Sequence, residues 1–452
     1  MLTLNGGVRR PTISVIIPAF NCAQELRQAL EALARSKQPP SECIVVNDSS
    51  TDSTASVAQE FVAIVLTTSG RNGPAKARNA GATAARGDIL FFLDADVCVQ
   101  PQTIDQITAA FSTDPGLSAL IGSYDEEPGS QDFLSQYRNL MHCFVHQQGQ
   151  EQASTFWSGC GAIRRLAFDE MRGFDESYRR PAIEDIELGY RLLQAGRKIV
   201  LDRTLKVKHL KRWTFWALVR TDILDRGIPW TELILRDRRM PNDLNLHLSQ
   251  RVSVALAFLT FCLTACAAIY WRGYFLVPLF AFVFFLLCLY WLDAASPKQS
   301  KAANAGLLAA TLSIAGLAYL HHMLALIPPL LLSQVLLFSR HRYAESLATR
   351  RRRFRWPAAV YLLLSLAACI YYLPSHHLIF AVFAVLATMG ILNSQFYLFL
   401  AAKRGFFFAA AAIPFHLLYH FYNGISFIAG VASHGWRSTF LSRSKRSGME
   451  VR

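Results

Sequence analysis

Neither G-x-G-x-x-G nor a P-loop occurs anywhere in the 452 residues, so the usual dinucleotide and ATP fingerprints are absent. Zinc-spaced cysteine pairs are missing too. The nine cysteines are scattered and odd in number, and Cys262, Cys266, Cys288 and Cys369 sit in apolar stretches. That usage predicts reduced thiols and excludes a disulfide framework. The opening segment, MLTLNGGVRRP, has no apolar core of the kind a signal peptide needs, so the domain that follows is expected in the cytosol. Acids are scarce in the second half: residues 251–452 hold 3 Asp+Glu against 18 Lys+Arg, whereas residues 1–250 hold 29 against 28. The net +14 therefore belongs to the second half. Its bases, among them Arg340, Arg342, Arg350 to Arg353 and Arg355, lie between hydrophobic segments. There positive-inside topology and anionic lipid explain them, and nucleic acid is not the expected partner.

What is present begins with alternating apolar runs and helical spacings. Ile13 to Ile17, ended by Pro18, reads as a buried strand, and Cys43 to Val46 and Phe61 to Leu66 read as two more. Between them Leu26, Leu30 and Leu33 set a helix over Cys22 to Arg35, and Pro74 to Arg86 forms a small-residue helix. The polar octet Asn47 to Thr54 turns the chain and caps the next helix. Ile89 to Leu93 is a further buried strand, with Asp94-Ala95-Asp96 at its end. This order predicts an α/β domain with a mostly parallel sheet covered on both faces. Ligands of such sheets bind beyond the C-terminal strand ends, where two carboxylates suit Mg²⁺ or Mn²⁺.

A second set of acids follows. Ser158 to Arg165 is a glycine-bearing turn entering a short strand. Ile183-Glu184-Asp185-Ile186-Glu187-Leu188 then opens a helix that runs to about Gln194 and stops at Gly196. Acids in a first helical turn suit the macrodipole, which makes capping one reading. A general base that deprotonates an attacking hydroxyl is the other.

Together these residues resemble the family 2 glycosyltransferases with the GT-A fold. The resemblance is carried by Ser14-Val15-Ile16-Ile17-Pro18-Ala19-Phe20-Asn21, Val45 to Asp52, Ala77-Arg78-Asn79-Ala80-Gly81, Asp94-Ala95-Asp96 and Glu184-Asp185, in the family's order over roughly 12–210. It implies a nucleotide-sugar donor, UDP before GDP, and inversion at the anomeric carbon. It also implies that Asp48 contacts the base, that Pro18 and Phe20 hold the nucleoside, and that Asp94 lies near ribose or diphosphate. Asp96 would ligate the metal. Asp185 matches the catalytic base, with Glu184 beside it. Arg78 and Asn79 lie in the helix whose family counterpart faces the nucleotide, and a structural role stays open for both. Two departures stand out. Ser49 follows Asp48 where the family often has glycine. His209-Leu210-Lys211-Arg212-Trp213 stands where processive members carry Q-x-x-R-W. Histidine in the glutamine position favours transfer of one or a few sugars over polymer synthesis. His209 is then a candidate metal ligand or an ordinary hydrogen-bonding histidine, while Arg212 and Trp213 would meet the acceptor.

The organisation expected is a catalytic domain at 1–210, interfacial amphipathic helices at 211–250, a transmembrane domain at 251–431 and a basic cytosolic tail at 432–452. The 211–250 helices would lie in the membrane interface or pack on the catalytic domain. Val252–Trp271, Gly273–Leu292, two short spans within Ala305–Phe338 divided at His321-His322, Pro357–Leu373 and Leu378–Ala402 make six spans. Pro414 and Asn423-Gly424 interrupt 405–431, which reads as re-entrant or interfacial. The chain as a whole reads as an inner-membrane enzyme using a lipid or lipid-linked acceptor in the phospholipid bilayer. A processive polysaccharide synthase and a non-catalytic membrane binding protein are the alternatives.

Overall fold

In this computed structural model the described residues are 10–61, 64–271, 277, 280–285, 301–320, 322–341, 360–361, 363–365, 368 and 377–447. They form two compact units. The first is built from residues up to 130, 134–248 and those from 425 onward, and the second from 131–133 and 249–424.

The first unit grows outward from β1 (Ile13–Ala19), whose side chains are buried on both faces. Val15 and Ile17 enter one apolar cluster and Ile16 the other, the period-2 signature of a strand covered on both sides. β1 runs parallel to β2 (Glu42–Asn47) and to β4 (Ile89–Leu93), and β2 runs parallel to β3 (Ile64–Thr67). The third strand thus begins later than Phe61. Helix α1 (Ala23–Ala34) buries Leu26, Leu30 and Leu33 as its spacing requires, and α3 (Pro74–Ala84) packs Ala75, Ala77 and Ala82 into the opposite layer.

Beyond β4 the sheet reverses. β7 (Cys160–Arg164) lies antiparallel between β4 and β6 (Leu117–Tyr124). β6 is parallel to β8 (Lys198–His209), whose end pairs antiparallel with the two-residue β5 (Val97–Cys98). The full order is β3-β2-β1-β4-β7-β6-β8-β5. A mostly parallel sheet was expected. The sheet is mixed because the chain, after α5 (Phe133–Gln148), re-enters through 149–159 from the strand end where β4 stops, so β7 must run backward. That reversal puts the 157–159 turn against Asp94, whose N–H donates to the Gly159 carbonyl at 3.3 Å.

The segment after β8 forms α8 (Phe215–Arg220), a π-helical stretch (Thr221–Gly227) and α9 (Ile228–Asp237). Leu218, Leu233 and Ile234 are buried, whereas Trp216 is 77% exposed and Leu224 is also exposed. Within the same unit Gly430 abuts Thr231, Gly227 abuts Ser426, and Arg437 pairs with Glu232 at 3.3 Å. The small residues let the two helices approach closely.

In the second unit the helix over Leu248–Trp271 contains one stretch, Leu248–Cys266, long and apolar enough to cross a membrane. Phe380–Leu392 and Ser394–Arg404 pass that test together across a 66° bend. The bend has a visible cause: Asn393, 3% exposed, turns its amide to Ser253 Oγ at 2.8 Å and the Met389 carbonyl at 2.9 Å. Shorter apolar helices cover Leu308–Leu320 and Leu324–Val335, and the chain breaks between them at the expected place, with His322 at φ 57°. The expected spans Gly273–Leu292 and Pro357–Leu373 fall largely outside the described residues. One finding differs from the sequence reading. A single helix, Phe406–Ser447, runs through Pro414, Asn423 and Gly424 and into the basic tail. Proline removes one backbone donor yet is tolerated when its neighbours stay helical.

Helix α7 (Glu184–Gln194) passes so close to 155–156 that a Cβ on Gly189 would lie 2.2 Å from Phe156 N. Gly189→Ala would gain up to ~1 kcal/mol of helix propensity. Overpacking costs ~1–3 kcal/mol and should win. The unfolding midpoint of the purified chain is expected to fall; a rise would show that the close approach is not required.

Candidate active site

Arg78 occupies the centre of the site. It projects from α3, 4% exposed, and its guanidinium reaches Glu184 Oε1 at 2.7 Å and Asp94 Oδ1 at 2.8 Å. One cation thus ties the end of β4 to the start of α7. Glu184 also accepts from the Ala182 N–H at 2.9 Å, so both of its oxygens are engaged. Burial raises the Glu184 carboxyl above its ordinary range, and neighbouring Asp185 adds to this against the pull of Arg78. These contacts engage Glu184 and Arg78 with each other, with Asp94 and with the Ala182 backbone. Asn79, on the same helix, is held by Phe174 N–H and the Phe174 carbonyl at 2.9 Å each.

Asp94 and Asp96 part company. Asp94 turns to Arg78, whereas Asp96 Oδ2 faces His209 Nε2 at 3.6 Å. The register Val97↔His209 makes this meeting necessary, and Leu210 N–H donates to the Asp96 carbonyl at 2.8 Å. Burial works against ionisation of Asp96, but His209 and then Lys211 outweigh it and hold the carboxyl below the usual range. Among the described residues no three His, Cys, Asp or Glu side chains stand together as a metal cluster. A carboxylate with one imidazole edge, and a second carboxylate adjoining, still suits a hard cation that keeps several ligands from water or phosphate.

Behind His209 stands an aromatic column. Tyr124 stacks on His209 with ring centroids 4.3 Å apart and planes 9° apart, and meets His142 at 4.4 Å. His142 meets His146 at 4.1 Å, and Trp157 closes on both. His146 Nδ1 lies 2.9 Å from the Gly122 carbonyl, which can only accept, so Nδ1 carries the proton. Burial pushes His146 down to about 4, with the Gly122 carbonyl opposing, and holds His142 well below the usual range.

Two adjoining cavities share Asp94, Asp96, Pro181 and Lys211. The larger, about 470 Å³, is lined by Pro18, Phe20, Asp48, Arg71, Arg78 and Arg212 among others. Asp48 does not offer a free carboxylate there. It is 4% exposed and accepts from Thr68 Oγ1 at 2.6 Å, Asn72 N–H at 3.0 Å and Gly73 N–H at 2.8 Å. It braces the 68–73 turn, which carries Arg71 over the Phe20 ring at 4.1 Å. The smaller cavity, about 210 Å³, is walled by α5 (Arg138, Asn139, His142), the end of β8 with Trp213, and the π-helical stretch. Arg212 and Trp213, adjacent in sequence, therefore serve different cavities. An i→i+5 turn brings residue 226 back over residue 221, so Thr221, Asp225 and Arg226 all face one space. The Arg138–Asp222 pair, 2.6 Å and buried, pins that stretch to α5.

Asp185 lines neither cavity. Its Oδ2 accepts from the Ser158 N–H and hydroxyl at 3.0 Å each, and its Oδ1 from Ile186 N–H at 2.8 Å. The sequence reading missed Ser158 as its partner, along with Arg71, Asn139 and His142. The spacing of His142 and His146 on one helix face was the available signal, and it does not by itself indicate a site.

Residues 14–172 match the family model described as Glycosyl transferase family 2. A probable glycosyltransferase of Bacillus subtilis (YdaM) is 28% identical over 202 residues, 41% of this chain and 47% of that protein. Validoxylamine A glucosyltransferase of Streptomyces hygroscopicus subsp. limoneus is 26% identical over 229 residues, 43% and 50% of the two chains. The O-antigen chain rhamnosyltransferase WbaN of Salmonella anatum is 23% identical over 245 residues, 49% and 75%. This chain spans about half the length of the curated relatives it matches first. Among solved structures, the mannosyltransferase PcManGT of Pyrobaculum calidifontis, in complex with GDP-Man and Mn²⁺, overlaps 75% of this chain and 89% of its own. Its TM-score is 0.44 and its identity 19%.

Arg78→Met would strand Glu184 in the core and release Asp94. Breaking a buried pair costs ~3–5 kcal/mol, and the lower end applies because Asp94 keeps a third of its side chain in solvent. The unfolding midpoint should fall by roughly 5–10 °C; an unshifted midpoint would disprove the bracing role. His146 stays neutral in the fold down to about 4 and is protonated in the unfolded chain below about 6.5. Its contribution is therefore intact above that upper value and lost as pH falls through the interval, by about 3 kcal/mol in all. His146→Gln should flatten the decline of the midpoint between these pH values, and equal slopes would count against it.

Proposed function

We propose that this chain is a membrane-associated, inverting glycosyltransferase that moves a sugar from a nucleotide donor, UDP-linked by preference, to a lipid or lipid-linked acceptor. The glycosyltransferase domain at 14–172 is the premise. The observation that carries the rest is the pair of cavities, about 470 Å³ and about 210 Å³, that meet at Asp94 and Asp96. This is the arrangement a GT-A transferase needs.

In this reading Pro18 and Phe20 flank the nucleoside in the larger cavity, and Asp48 sets the 68–73 turn that closes over it. Arg212 and Lys211 supply positive charge toward the diphosphate. Asp96 and His209, with Asp94 adjoining, would hold Mn²⁺ or Mg²⁺. Such an ion, when bound, offsets the negative charge developing on the departing nucleoside diphosphate. Asp94 is oriented by Arg78. Asp185 is the general base. It sits at the start of α7, outside the lining of both cavities, so an acceptor hydroxyl reaches it only by displacing Ser158 Oγ. Proton transfer to it as the hydroxyl attacks gives a single displacement.

Placement in the inner membrane, with this domain on the cytosolic side, is supported by the Leu248–Cys266 helix, the bent pair at 380–404 and the excess of bases in 251–452. The exposed Trp216 and Leu224 suit the interfacial role of the 211–250 segment.

The test is nucleoside diphosphate release by the detergent-purified full chain with Mn²⁺, across UDP- and GDP-sugars, with and without lipid extract. One donor should give lipid-stimulated release. Asp185→Asn should lower it by roughly 10²–10⁴-fold, and chelation should abolish it until Mn²⁺ is restored. Nucleotide binding without release from any donor would instead favour a binding protein.

A further inference from the structure

The helix Phe406–Ser447 is turned inside out over its second half. Ser426, Gly430 and Arg437 recur on one face, at i, i+4 and i+11. That face meets the catalytic unit, where a Cβ on Gly227 would strike Ser426 and one on Gly430 would strike Thr231. Arg437 continues the same row to Glu232. The opposite face carries Ile425, Phe427, Ile428, Val431 and Trp436. All five are exposed, Ile428 to 59% and Trp436 to 69%. A helix on a soluble domain turns its apolar stripe to the core and its polar residues to water. Here a small and polar row is packed inward, and the large apolar side chains stand outside.

A contiguous apolar row of this kind marks an interaction surface. The charge beside it selects the partner. From 437 onward the sequence carries Arg437, Arg443, Lys445, Arg446 and Arg452 against one acid, Glu450. A second copy meeting this face through its own would bring the same bases and no acid in that segment to answer them. An anionic phospholipid surface answers both features. Its headgroup phosphates pair with the bases, and the boundary with the acyl chains takes the apolar row, with a tryptophan at the depth such residues favour. Among the described residues, Leu248–Cys266 and the bent pair at 380–404 are apolar enough to span. The mixture of apolar residues, serines and bases over 425–447 suits a helix that lies along the surface instead.

We propose that the outward face of residues 425–436, continued by the bases from Arg437, rests on an anionic phospholipid surface and ties the catalytic unit directly to it. This rests on the membrane placement proposed above. It adds a lipid contact made by the catalytic unit itself, from the far end of the chain.

The experiment uses the full chain in nanodiscs of equal parts phosphatidylcholine and phosphatidylglycerol. A photocrosslinking benzoylphenylalanine replaces Ile428, Val431 or, as a reference in the spanning helix, the exposed Leu259. Mass spectrometry then identifies what each position captures. Positions 428 and 431 should capture phospholipid, as 259 does. Phosphatidylglycerol should exceed phosphatidylcholine there by about fivefold, the preference that one base near the bilayer surface confers. Replacing Arg443, Lys445 and Arg446 together by Glu should bring that ratio to one or below, with the unfolding midpoint unchanged. Capture of a second protein chain at 428 and 431 would overturn the proposal. So would absence of lipid adducts there while 259 still gives them, or a lipid ratio that the charge reversal leaves unmoved. Lipid missing at 259 as well would bring down the membrane placement, and this contact with it.

Discussion

One guanidinium holds the site together. Arg78 joins the end of a central strand to the first turn of a helix more than a hundred residues away in sequence, through Asp94 and Glu184. Without a cation there, two carboxylates would stand near one another in a poorly solvated crevice and repel. With it, Asp94 keeps a fixed orientation at the sheet edge, and α7 begins where Asp185 can meet Ser158. Acids alone would suffice to mark this place in a sequence. They could not hold it open without the buried base between them.

The geometry also separates two duties that the sequence merges. Asp94-Ala95-Asp96 reads as one motif, yet its members answer to different partners. The first belongs to Arg78 and the second to His209, because β5 begins immediately afterward and pairs with the end of β8. The run Lys211-Arg212-Trp213 divides in the same way between two cavities. Alternation along an extended chain sends Arg212 and Trp213 in opposite directions, whereas Asp94 and Asp96 part because the chain turns at residues 95–96 between β4 and β5.

The central strands, α1, α3, α7 and the positions of the acids were legible because each rests on a local pattern: β-branched runs, leucines at helical spacing, or carboxylates at strand ends. The antiparallel β7 was not legible as such, since strand direction depends on how the chain returns and not on the strand's own residues. The second cavity was hidden for a similar reason. Asn139 and His142 come from a helix of mixed composition, Tyr124 from the end of β6, and the rest from a π-helical stretch whose register no periodicity announces. Asp48 was found but its occupation was not. Its carboxylate is taken up by backbone donors of 72–73, and backbone donors leave no mark in a sequence.

The helix over Phe406–Ser447 has a consequence for the order in which the molecule can be completed. Its last part, from residue 425, belongs to the first compact unit, where Ser426 and Gly430 close against Gly227 and Thr231. Gly227 and Thr231 therefore stay uncovered on that side until a segment far downstream in the chain has folded against them.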